Sequence, residues 1–162
     1  MSEALQGWAF RRAGPGDVAV IAAITDAAYS MYVPRLGRQP QPMTADYTQI
    51  VAEHPVWLLT AAGAPAGVLV LMREPEALLI YSVALEPRYQ GRGLGRELLA
   101  WAEHEARAAG YARIRLFTNA LMHENIARYN HLGDRETHRE PFHELTIVHF
   151  AKAVAPRASE EG

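Results

Sequence analysis

Residues 88–96 read Arg88-Tyr89-Gln90-Gly91-Arg92-Gly93-Leu94-Gly95-Arg96, and what flanks this glycine-rich stretch decides the fold. Before it, Ala77 to Leu85 is almost wholly apolar, the pattern of a strand buried on both faces. After it, from about Gly93 to Ala109, Leu94, Leu98, Trp101, Ala102 and Ala106 recur as one helical stripe, which Gly110 terminates. The glycines therefore sit between a buried strand and an amphipathic helix. They permit positive φ and let backbone N–H groups approach a ligand closely. The start of the helix adds unpaired N–H groups and the positive end of its dipole, so the whole suits a pyrophosphate. The competing reading is a tight turn with no ligand. A Walker loop is excluded, because Gly95-Arg96-Glu97 stands where Gly-Lys-Ser/Thr is required. A dinucleotide-binding turn is excluded as well, because Arg96 and Leu98 occupy the places of its third glycine.

Working outward, Trp8 to Arg12 alternates as a short strand, ended by Gly14-Pro15-Gly16. Asp17 then caps a helix carrying Val18, Ile21, Ile24, Thr25, Ala28, Tyr29 and Tyr32 at helical spacing. Pro34, Gly37, Pro40 and Pro42 predict an irregular loop from Val33 to Met43, and Thr44 predicts the cap of a short helix reaching about Ala52. Val56–Ala62 and Ala66–Met72 read as a hairpin turning at Gly63-Ala64-Pro65, and Glu74-Pro75-Glu76 makes the next turn. Arg113 to Thr118 is a strand and His123 to Leu132 a helix stopped by Gly133. Pro141 divides two last strands, Arg135–Glu140 and His143–Lys152, with His143 and His149 in phase on one face. The order β-α-α-β-β-β-α-β-α-β-β predicts a mixed α/β domain with helices on both faces of a central sheet. One domain over residues 1–162 is expected, with its core at about 8–152 and a frayed tail at 158–162.

Composition narrows the function. Sixteen Lys plus Arg against 18 Asp plus Glu give a net charge of -2 without charged blocks, which argues against a nucleic-acid binder. With no cysteine, a disulfide scaffold, a Cys nucleophile and Cys-ligated metals are excluded. No apolar run approaches the roughly 20 residues of a membrane span, and Met1-Ser2-Glu3 does not open a secretory signal, so a cytoplasmic protein without a membrane partner is expected. Lys152 is the only lysine beside 15 arginines, a usage pointing to a GC-rich, bacterial genome. Seven histidines are not spaced as His-Glu-x-x-His, so no metal is expected. No Gly-x-Ser-x-Gly elbow supports hydrolysis.

Gln90-x-x-Gly93-x-Gly95, with Ala84-Leu85-Glu86-Pro87 before it and the amphipathic helix after it, resembles the acetyl-CoA signature of the GNAT superfamily of N-acetyltransferases. The specific resemblance covers Ala77 to Gly133, and the element order is similar to that fold from Trp8 to Lys152. It implies that the strand before the turn splays from its neighbour and offers backbone groups of Val83 and Leu85 to pantetheine. It also implies that Gln90, Gly91, Arg92, Gly93, Leu94, Gly95 and Arg96 take the pyrophosphate, with Arg88 adding charge. Tyr129-Asn130-His131-Leu132-Gly133 resembles the family's Tyr-x-x-Leu-Gly ending, which makes Tyr129 the general acid toward the departing thiolate. A phenol of pKa about 10 holds its proton at neutral pH and can give it to a basic thiolate.

Asn125, four residues before Tyr129, shares its helical face and would replace the family's coenzyme-contacting Asn, whose place Met122 takes. Asp134 stands where the family usually has an aromatic residue. Tyr29, Tyr32 and Tyr47 beside the Pro-rich loop, with Arg35 and Arg38 in it, fall where this fold builds its acceptor pocket. The same tyrosines read equally as core, and the arginines as a solvated loop. Glu124, Tyr81 and Glu86 are candidate bases. The implied activity is transfer of an acetyl group from acetyl-CoA to a primary amine of a small molecule or peptide. The alternative is a non-catalytic acyl-CoA-sensing module of the same fold. A homodimer is considered beside the monomer.

Overall fold

The computed structural model describes residues 7–154, so the expected frayed tail lies outside the described residues. In chain order the elements are β1 (Trp8–Arg12), α1 (Val18–Tyr29), α2 (Val33–Leu36), α3 (Gln41–Thr44), α4 (Tyr47–Glu53), β2 (Val56–Ala61), β3 (Ala64–Arg73), β4 (Leu78–Leu85), α5 (Leu94–Ala108), β5 (Arg113–Asn119), α6 (His123–His131), β6 (Arg135–Phe142) and β7 (Leu145–Ala153). The seven strands form one sheet in the order β1-β2-β3-β4-β5-β7-β6. The chain gathers into two compact units, the first built from residues up to Met72 with Tyr81–Trp101, the second from Arg73–Ile80 with the residues from Ala102 on. Among the described residues no helix is long and apolar enough to cross a membrane.

In the first unit β1 pairs antiparallel with β2, and β2 with β3. The inward residues of these strands, Val56, Leu58, Val68, Val70 and Ala84 of β4, pack against Ile21, Ile24 and Ala28 of α1 and Tyr47 and Ile50 of α4. Each fully buried Leu, Ile or Val adds about 1.5–3 kcal/mol of hydrophobic stabilisation. Thr25, buried among them, satisfies its hydroxyl by donating to Ile21 O at 2.8 Å.

Four local expectations are corrected here. The segment from Val33 to Met43 is not irregular throughout, because α2 and α3 are single helical turns with Pro34 and Pro42 in their first turns, where a missing N–H costs nothing. Thr44 does not cap the next helix: its hydroxyl donates to Gln41 O at 3.2 Å, while the Asp46 carboxylate accepts from Gln49 N at 3.2 Å at the start of α4. Asp17 does precede α1, yet its carboxylate accepts from Gly14 N at 2.8 Å and from both terminal nitrogens of Arg11 at 3.0 Å. It therefore closes the turn before the helix rather than the helix itself. The β2–β3 hairpin reverses at Ala62-Gly63, both at positive φ (51° and 82°), a two-residue turn whose twist suits a hairpin, and Pro65 lies within β3.

In the second unit β5 pairs in parallel with the start of β4, Leu78–Ile80 against Ile114–Leu116, and antiparallel with β7, which pairs with β6. Pro141 does not divide strands. It lies inside β6, the last strand in the sheet order, where a residue without an N–H is tolerated. The reversal falls instead at His143-Glu144, with His143 at φ 57°, so His143 belongs to the turn and only His149 to β7. Glu74 receives a bidentate pair from Arg115 at 2.5 and 2.6 Å, and its carbonyl accepts from the Tyr111 hydroxyl at 2.9 Å. His149 is buried, stacked at 4.1 Å on His138 and bonded through Nε2 to Glu140 at 2.6 Å. Arg115 can only donate, so its 3.4 Å contact makes Nδ1 of His149 the acceptor and Nε2 the protonated nitrogen.

The cap assignment is directly testable. Asp46→Ala is expected to lower the free energy of unfolding by about 1 kcal/mol in urea titrations, and Thr44→Ala by clearly less. Equal losses would mean that both residues share the cap.

Candidate functional site

The first unit carries the glycine turn. Pro87–Tyr89 forms one 3₁₀ turn after β4, and α5 begins at Leu94. Gly91 and Gly93 take φ of 80° and 82°, the left-handed region that side chains rarely occupy. Leu94 and Leu98 are buried and anchor the first turns of α5, whereas Gly91, Arg92 and Gly93 are exposed. A Cβ built on Gly91 or on Gly95 would meet nothing within 4 Å. Backbone and a helix start thus face open space from a rigid base.

Side chains around the turn hold it in place. Gln90 Nε2 donates to Leu85 O at 3.0 Å, tying the turn back to the end of β4, and Glu86 N donates to Ala66 O at 2.9 Å. The Arg88 and Arg92 guanidinium groups lie 4.7 and 5.4 Å from the Tyr89 ring centre, and Trp8 meets that ring edge-on at 5.1 Å. Arg88 also donates to Glu86 at 2.9 Å, which offsets its charge.

On the same unit Tyr29 reaches from α1 to β4, its hydroxyl donating to Val83 O at 3.1 Å and lying 3.5 Å from Ser82 Oγ. The expected acceptor residue thus turns its polar end to the strand. Burial raises its phenol pKa, and that of Tyr47, whose hydroxyl donates to Pro42 O at 2.6 Å. Tyr81 is raised for the same reason and keeps its proton at neutral pH, which suits it poorly to be a base. Tyr32 lies 6.5 Å from Tyr29, ring to ring, with the Arg35 guanidinium 5.4 Å from the Tyr32 ring centre. Tyr29, Tyr32 and Arg35 therefore do come together.

The second unit carries Tyr129. Asn125 Nδ2 lies 3.4 Å from Thr118 Oγ1 at the end of β5, and Met122 is buried at the N-cap of α6. Tyr129 sits one turn on from Asn125, half-buried, its ring edge-on to Phe150 at 5.7 Å. The helix ends in a glycine-terminated double bond: Gly133 N donates to Asn130 O at 3.2 Å and Asp134 N to Tyr129 O at 3.0 Å, with Gly133 at φ 96°. An apolar contact usually accompanies this motif at the position of Asp134. Here the carboxyl is buried and its Oδ1 has no hydrogen-bond partner. Desolvation raises its pKa, against the opposing pull of Lys152. Sequence reasoning missed three of these features: the side-chain link from Gln90 to Leu85, the Tyr89 ring beside two arginines, and the role of Lys152. Only the last left a signal, as the one lysine of the chain.

A sequence model of the acetyltransferase (GNAT) family matches residues 21–134. The chain belongs to that family. It is similar to "N-alpha-acetyltransferase 80" of Mus musculus, 36% identical over 63 residues, which are 39% of this chain and 19% of that protein. The match thus spans about a fifth of the relative's length. Among solved structures, the ribosomal-protein-S18-alanine N-acetyltransferase from Escherichia coli superimposes with a TM-score of 0.75 at 20% identity, over 93% of this chain and 96% of that one. A GNAT family acetyltransferase from Elizabethkingia anophelis with acetyl-CoA bound gives 0.70 at 13% identity, over 91% and 99%. These likenesses carry the fold, a mixed α/β sheet flanked by helices.

The buried carboxyl of Asp134 gives a prediction of definite sign. A folded-state pKa above the unfolded value means that stability falls as pH rises from the ordinary Asp range through the native pKa. Asp134→Asn is therefore expected to melt higher than wild type at pH 7, with the gain shrinking toward pH of about 3, below the unfolded value. A gain independent of pH would show that charge is not the cause.

Proposed function

We propose that the protein transfers an acetyl group from acetyl-CoA to a primary amine by direct attack within a ternary complex, as a single acyltransferase domain. The observation that carries this reading is the turn from Gln90 to Arg96: positive φ at Gly91 and Gly93, open space at Gly91 and Gly95, and a buried-leucine anchor at the start of α5. In this reading the backbone N–H groups of that turn hold the pyrophosphate, and Arg92 and Arg96 add positive charge. Gln90 has a structural part instead, because its amide is already bonded to Leu85 O.

In this reading backbone N–H groups of Val83 and Leu85 serve pantetheine and the thioester carbonyl, while the carbonyls of the same residues accept from Tyr29 and Gln90. The amine nitrogen forms a bond to the thioester carbon as the carbon–sulfur bond breaks. The amine's proton leaves to water, Tyr129 supplies the proton that the departing thiolate takes up, and the tyrosinate regains a proton from water. Asn125 beside it lines the coenzyme. Holding both reactants in line replaces a bimolecular encounter and supplies much of the rate. Tyr32 and Arg35, with the ring of Tyr29, flank the acceptor, a small-molecule or peptide amine. One relative is by its name an N-alpha-acetyltransferase and one solved neighbour a ribosomal-protein-S18-alanine N-acetyltransferase, which favours a peptide amine among the acceptors.

Two variants test the reading. Gly95 lies in α5 at an unstrained backbone, so Gly95→Val should fold normally, yet its side chain would enter the space assigned to the pyrophosphate. Isothermal titration is expected to show at least a tenfold (about 1.4 kcal/mol) loss of acetyl-CoA affinity, and unchanged affinity would remove the turn from the site. Tyr129→Phe keeps the ring against Phe150 and removes the proton, so kcat on an amine identified by a thiol-release panel should fall by about 10²–10⁴. A kcat within about twofold of wild type would make Tyr129 a packing residue. Coenzyme binding without thiol release from any amine would favour the sensing module instead.

A further inference from the structure

Lys152 is the chain's only lysine, and its ammonium is committed to one place in the second unit. Nζ donates to Leu132 O at 2.9 Å and to Glu103 Oε2 at 3.0 Å, with both side chains of the ion pair about three-quarters covered. Leu132 is the C-cap of α6. The glycine motif after it provides N–H donors for the carbonyls of Tyr129 and Asn130, and the Leu132 carbonyl receives the lysine. A cation at this end also meets the negative pole of the helix dipole. The stem of Lys152 covers the bare face of Gly133, where a Cβ would stand 3.7 Å from Cε. Phe150, two residues before Lys152 on β7, carries the edge of the Tyr129 ring.

We infer that Lys152, held by Glu103, is a positioning residue for Tyr129. It clamps the last turn of α6 to β7 so that the phenol points in one direction. The inference rests on the assignment of Tyr129 as general acid. A clamp of this kind acts on the reaction only through Tyr129, and that sets it apart from a contact that merely stabilises the fold.

A double-mutant cycle on kcat distinguishes the two, with Lys152→Met, Tyr129→Phe and their combination, and the titrated Kd for coenzyme A as a second readout. Lys152→Met is expected to lower kcat by about tenfold, the scale of a small misplacement of a reacting group, with Kd for coenzyme A within about twofold. In the Tyr129→Phe background the same substitution should cost nothing further in kcat, because the group it positions has gone. Lys152→Arg, which keeps a cationic donor, should recover most of the loss. Losses that multiply would overturn the inference and leave Lys152 as a stability residue. If Tyr129→Phe itself leaves kcat unchanged, the assignment of the acid falls and the inference with it. Should Lys152→Met not fold, Glu103→Gln keeps the bond to Leu132 O and removes only the counter-ion. Its smaller loss should likewise vanish in the Tyr129→Phe background, and persistence of that loss would overturn the clamp.

Discussion

A strand or helix that ends must find partners for the backbone groups its ladder no longer serves, and in this protein that obligation organises the end of β4 in the first unit and the end of α6 in the second. At β4 the Val83 and Leu85 carbonyls accept from the Tyr29 hydroxyl and the Gln90 amide. At the end of α6 the carbonyls of Tyr129, Asn130 and Leu132 accept from Asp134 N, Gly133 N and Lys152. In each case side chains or turn amides from the same unit make the bond, so the element ends rigidly.

The start of α5 is treated differently. Its glycine turn places backbone at positive φ with open space beside Gly91 and Gly95. Carbonyl ends are tied to the protein, while the N–H end is presented outward, the polarity an anionic coenzyme requires. The charges around it follow the same division. Arg88 is offset by Glu86, and Arg92 lies beside the Tyr89 ring.

Much of this was legible in the sequence, and the reasons differ by element. The apolar run of β4, the stripe of α5 and the glycines after α5 and α6 are local signals, and the structure follows them closely. The short turns α2 and α3 were not legible, because a proline that breaks a helix interior is compatible with its first turn. The same ambiguity placed Pro141 between strands rather than on an edge. Thr44 and Asp46 are both good caps two residues apart, and only tertiary placement chose between them. The links from Gln90 to Leu85 and from Lys152 to Leu132 join chain segments that no periodicity relates. Asp134 stands out in the sequence as a departure from the family pattern, but its burial is visible only in the structure.

The central claim is that the amides of the glycine turn, with those of Val83 and Leu85, receive the coenzyme. Backbone hydrogen exchange with and without acetyl-CoA measures this most directly, since it reads each amide's protection. Added protection concentrated on Gly91–Arg96 and on Val83 and Leu85 is the predicted result. Protection that leaves Gly91–Arg96 unchanged, whether it appears elsewhere or nowhere, would contradict the account.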